Sequence, residues 1–182
     1  MTELVKFKPD QIETVNNAVE MAEELVSNHY KMSATQWLRR RYDVKTLEDL
    51  SPDEIVHGPF AQIIRYEGQL KNVSLGSSTY DLYRICLQDH SICSALVQTP
   101  EMNLFPFTLY IMTHELIHIV RFSKFLQHFE ASSQEIMSEE NRVHEKTHKI
   151  LNNIRITGLS IVFRFYQKWG IPYESLESKK DG

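Results

Sequence analysis

Cysteine, glycine and proline are scarce: two, six and six in 182 residues. Two cysteines cannot staple a small disulfide scaffold or build an array of zinc knuckles, both of which need sulfurs at short regular intervals. So little glycine and proline excludes collagen-like and low-complexity chains. No run approaches about 18 apolar residues free of charge, so no membrane-spanning helix is expected. The opening stretch, MTELVKFKP, lacks the apolar segment of a secretory signal. Neither sign of charge dominates: 20 Lys and Arg against 24 Asp and Glu leave a net charge of −4, which argues against non-specific nucleic-acid binding. The one basic run, Arg39-Arg40-Arg41 beside Trp37 and Tyr42, reads as a solvated helix end. Cys86 and Cys93 read as reduced thiols of a cytoplasmic protein, facing each other across a hairpin that turns at Asp89-His90.

What is present is a core. Apolar residues make up 42% of the chain and aromatics 10%, and the length suits a single domain over 1–182. The expected class is α+β, mostly helical, in four parts. Residues 1 to about 58 form a helical N-terminal part. Ile12, Val15, Val19, Ala22 and Val26 recur at helical spacing within 9–31, and capping boxes at 33–36 (SATQ) and 51–54 (SPDE) start two short helices. Residues 60–98 form a small antiparallel sheet, with strands at 61–66, 80–87 and 92–97 separated by Gly68, by LGSS at 75–78 and by QDHS at 88–91. Residues 103–130 form one long helix, capped by Asn103, with Pro106 in its first turn. Residues 134–169 form a final helix that Gly158 can kink and that Gly170 and Pro172 stop. The polar tail after 173 is expected to be loose.

The third part holds an anomaly. YIMTHELIHIV, 110–120, is apolar apart from His114, Glu115 and His118. Buried without partners, two imidazoles and a carboxylate carry a desolvation cost of several kcal/mol. The pattern is H-E-x-x-H. On a helix, residues four apart share a face, so His114 and His118 can give two nitrogens to one metal ion. Glu115 lies one step round, where it reaches a metal-bound water but not the ion itself. Zinc lowers the pKa of such a water to about 7, and the neighbouring carboxylate carries its proton.

On these residues, with Ile111, Leu116, Ile117 and Val120 around them, the sequence resembles the zincin metallopeptidases over about residues 80–150. The resemblance implies zinc, Glu115 as general base, an edge strand before the motif helix (the place of 92–97), and a peptide or protein substrate. Arg121 and Lys124 stand where the metzincins place glycine and histidine, which excludes that subtype. The gluzincins take their third ligand from a glutamate on a following helix. Glu140 is the preferred candidate, because it lies on the inward stripe with Ile136, Val143, Thr147, Ile150 and Ile154, whereas Glu139 points out with Arg142 and Lys146. His144 is its rival. A tight hairpin turning near Ser132 would set His118 opposite His144 or Glu145 and His114 opposite His148, leaving Glu140 nearly a turn too close to the connection.

Two other readings remain open at this level. Glu115-x-x-His118 and Glu145-x-x-His148 also fit a di-iron or di-manganese carboxylate bundle, with Glu20 or Glu24 added from the first helix. The site could also be non-catalytic, in a zincin-like metal-binding or interaction protein. His29, His57, His90 and His128 show no partners in the sequence and read as structural or exposed. Tyr80, Tyr83 and Tyr110 could serve as oxyanion donors but fit core positions better.

Overall fold

The computed structural model describes residues 3–33, 42–69, 79–124, 131–169 and 176–180. The first helix, α1 (Pro9–Tyr30), has proline in its first turn and ends at Lys31 in the left-handed conformation. It buries Val15, Ala18, Ala22 and Val26, the stripe the sequence spacing predicts. Strand β1 (Tyr42–Lys45) is followed by two 3₁₀ turns, Leu47–Asp49 and Pro52–Glu54, the second held by the expected Ser51/Glu54 capping box. Strands β2 (Ala61–Gln69) and β3 (Thr79–Leu87) lead into α2 (Asp89–Gln98), α3 (Leu104–Ser123), α4 (Ser133–Leu151), α5 (Leu159–Trp169) and β4 (Leu176–Lys180).

The class is as expected, a mostly helical α+β domain around one continuous core. Its axis is α3. Every residue from Pro106 to Phe122 is buried, as in a helix that is apolar on all sides and has no solvent face to keep. It packs on α1, α4, α5 and β2. Hydroxyls in this interior bond back to the helix: Thr113 Oγ1 donates to Leu109 O at 2.7 Å and Thr147 Oγ1 to Val143 O at 2.7 Å.

The sheet differs from expectation. Among the described residues it has four strands in the order β1-β3-β2-β4 and is mixed. β2 and β3 are antiparallel, with Ala61 opposite Leu87 and Gln69 opposite Thr79, as the sequence predicts. β1 joins β3 and β4 joins β2, both parallel. Residues 92–97, expected as a third strand, are helical instead. Ile92 and Ala95 are buried while Val97 is 80% exposed, a helical rather than an alternating pattern. QDHS is correspondingly not a hairpin turn. The Asp89 carboxylate is buried and accepts from the backbone N–H groups of Phe7 (2.9 Å) and Leu47 (3.0 Å), which tethers the start of α2. Cys86 and Cys93 form no disulfide; they lie on β3 and α2 and do not face each other across strands.

The expected helix 134–169 is two helices. The chain leaves α4 at Leu151 and turns through Gly158, whose φ of +92° suits glycine, before α5 begins. A Cβ at Gly158 would meet Pro106 Cγ at 3.1 Å, so the turn also needs the missing side chain to approach α3. The tail is not wholly loose, because 176–180 add a parallel edge strand whose pairing is made by backbone groups and is indifferent to the polar sequence. The expected helix at 33–36 beyond its first residue, the arginine run 39–41, the turn at 75–78, the end of the motif helix at 125–130, the stops at 170 and 172, and His128 lie outside the described residues.

Among the described residues no helix is long and apolar enough to cross a membrane.

Candidate metal centre

His114 and His118 stand one turn apart on α3, with ring centroids 4.8 Å apart and their Nε2 atoms 3.2 Å apart. From α4, Glu140 reaches across with both oxygens. Oε2 is 3.1 Å from His114 Nε2, and Oε1 is 2.7 Å from His118 Nε2. The three side chains are buried and can each offer a donor atom within 4.8 Å of the others.

Two nitrogens and a carboxylate oxygen suit zinc, among other divalent ions. Ligands about 2.1 Å from one tetrahedral ion lie about 3.4 Å apart. The 3.2 Å between the two imidazole nitrogens and the 3.1 Å from His114 to Glu140 Oε2 are within 0.3 Å of that, while the 2.7 Å contact of His118 is to the other oxygen, Oε1. Burial pushes the Glu140 carboxyl up, but the charges of His114 and His118 and their hydrogen bonds outweigh it, holding the group well below its usual range. His114 responds in the opposite sense: burial lowers its pKa, and the Glu140 charge and hydrogen bond more than offset this. The result is a carboxylate kept ionised against two imidazoles.

The structure thus brings together His114, His118 and Glu140. His144 belongs beside the set but not in it. Its Nε2 is 3.9 Å from Glu140 Oε2 and has no hydrogen-bond partner, while Nδ1 pairs with Tyr110 Oη at 2.6 Å. Burial and the neighbouring His114 drive its pKa down to about 2, so the ring is neutral. The hairpin register argued from the sequence does not hold, because α3 and α4 are set so that His118 meets Glu140. His118 faces Glu140 and not His144 or Glu145. His148 is half-buried against Phe163 (4.5 Å between ring centroids) and takes no part. Glu20, Glu24 and Glu145, the carboxylates considered for a dinuclear arrangement, are exposed.

Glu115 is buried on α3 beside the cluster. Phe122 stacks on His118 (6.0 Å) and on Tyr83 (5.8 Å), fixing one edge of the site; Tyr83 is thereby a core residue. Tyr110 stacks on Tyr166 at 4.1 Å. Glu139, expected to point outward, is buried. It takes a two-pronged pair from Arg121 (2.8 and 2.9 Å) and a further contact from Arg142. Arg121 is the residue that sequence reasoning missed: a guanidinium one turn past His118 in an apolar helix must find a carboxylate, and it locks α4 in the register that aims Glu140. The signal was available, since an arginine inside a buried run is as anomalous as the histidines. His29 lies edge-on to Tyr30 (4.8 Å) at the end of α1, and His57 lies against His90 (5.2 Å), away from the centre.

No family model, curated protein or solved structure matches this chain.

Proposed function

We infer that the chain is a mononuclear metal-dependent hydrolase, with zinc as the metal and peptide bonds as the substrate class, working in a reducing compartment that suits two cysteines outside any disulfide. The observation that carries this reading is the convergence of His114, His118 and Glu140, with Glu115 on the same helix one step from the first ligand. A zinc ion bound there supplies a Lewis acid and a water whose pKa falls to about 7.

The side chains divide the remaining work. His114 and His118 hold their nitrogens toward Glu140 from a rigid buried helix, so little freedom is lost on binding. Glu140, kept ionised, contributes the negative charge that a divalent cation needs. Glu115 takes a proton on the substrate side and returns it to the leaving amine. Arg121 and Glu139 hold the two helices in the register that makes the set.

A second reading has its own support. The depth of burial, with His118 fully covered, favours a closed metal centre that stabilises the fold and turns nothing over. Reconstitution with zinc followed by Glu115→Gln separates the two. A hydrolase retains about one zinc per chain and loses activity on a peptide library by roughly 10²–10⁴-fold, the span of general-base catalysis. A closed centre retains zinc and shows no hydrolysis in either form. Loss of zinc from Glu115→Gln overturns the role given to Glu115.

A further inference from the structure

His114, Glu115, His118 and Glu140 expose 4% of their surface or less, and His144 exposes 8%. An ion reaching the centre must therefore displace a side chain. His144 stands in the right place. Its ring packs on His114, centroids 4.3 Å apart, and it also lines a groove of about 740 Å³ on the outer side of α4. The other lining residues include Asn141, Glu145, His148, Lys149 and Asn152, all on α4 or just after it, and the Asn141 and Asn152 amides and the Glu145 carboxylate offer oxygens to a hydrated cation.

The hydrogen bonding of His144 is half complete. Nδ1 is held by Tyr110 Oη at 2.6 Å, and Nε2 is buried with no hydrogen-bond partner. The first interaction favours the inward rotamer. The second disfavours it, because a buried polar atom without a partner loses its hydration, and rotation toward the groove restores water to it. Rotation exchanges the Tyr110 bond for hydration of Nε2, so each position satisfies one nitrogen and gives up the other. His144 Nε2 also lies outside the set of mutually close donor atoms, so it is not bound into the centre as a ligand.

Resting on the metal reading above, we propose that the ion reaches His114, His118 and Glu140 through the α4 groove, and that His144 is the gate, latched by Tyr110. The test is zinc exchange in the full chain, following uptake by the metal-free protein and release to a chromophoric chelator, with equilibrium affinity measured separately. A gate acts equally on both directions. His144→Ala is expected to speed uptake and release by the same factor, about tenfold for the loss of one buried hydrogen bond on the path, with affinity unchanged. Tyr110→Phe speeds both by less. Asn141→Trp, at an exposed position of the groove wall, slows both and decides the matter even if His144→Ala fails to fold. Faster release with weakened affinity and unaltered uptake makes His144 a ligand and overturns the gate. Unchanged rates in all three variants overturn the route while leaving the metal centre standing; a chain that takes up no zinc at all overturns both.

Discussion

At the scale of single residues, Glu140 and His144 separate two kinds of polar burial. Glu140 turns both oxygens toward imidazole nitrogens and is held ionised. His144 is held at one nitrogen only. Replacing Glu140 by Gln keeps the shape and removes the charge. It should weaken zinc binding by more than the 10–100-fold or so typical of an outer-shell partner, as read by competition with a chelator of known affinity. An equal loss on removing His144 would show that the ligand set has been misassigned. Glu54 is a second test of buried charge, away from the metal. Burial raises its pKa, but Ser51, Tyr66 and Arg84 all donate to it and bring it from 4.5 down to about 2. A carboxylate whose pKa is lower in the folded state stabilises the fold fully above its unfolded pKa. That contribution fades as the pH falls from about 4.5 toward 2. The difference in unfolding free energy between wild type and Glu54→Gln should therefore shrink across that range in urea titrations. A difference that stays flat would mean that the ionised carboxylate contributes nothing.

At the scale of elements, the site depends on how α4 and α5 are laid against α3. The Arg121–Glu139 pair fixes the first contact, and the turn at Gly158 fixes the second. At Gly158 an added methyl group is opposed twice, by a φ of +92° and by Pro106 Cγ at 3.1 Å. Gly158→Ala should destabilise the protein by about 1–2 kcal/mol from the left-handed backbone alone, with more from the contact. The check is a lower urea midpoint with an unchanged slope. A slope that changed would instead indicate a rearranged α4–α5 junction. The same element explains why one long C-terminal helix was a reasonable expectation. Gly158 in a helical pattern reads as a tolerable kink until its neighbour in space is known, and Pro106 is 52 residues away in sequence.

At the scale of the whole molecule, the centre buries two imidazoles and two carboxylates in the interior. An ion that binds only the folded state stabilises it by mass action, about 2.7 kcal/mol at a free concentration 100 times the dissociation constant. For a domain of this size each kcal/mol is worth roughly 2–4 °C, so zinc should raise the melting temperature by roughly 5–10 °C and a chelator should reverse the rise. A melting temperature indifferent to both, in protein shown to be metal-free, would leave the cluster as a set of mutually satisfied polar groups.

The sequence by itself determined the helical majority, the paired strands β2 and β3, the inward stripe of α4, and the anomaly at His114, Glu115 and His118. Each of these is a local periodicity, or a charge inside an apolar run, and needs no knowledge of distant neighbours. The helix α2 was misread because Ile92, Cys93, Val97 and their neighbours are residues that strands also favour, and a short apolar run does not separate the two periods. The parallel edge strands were missed because their pairing is made by backbone groups that leave no composition signal. Only the tertiary structure shows Glu140, and not His144, turned toward both His114 and His118. That choice turns on the register of two helices across a connection of unspecified length, and a shift of one turn, about 5.4 Å, exchanges one residue for the other.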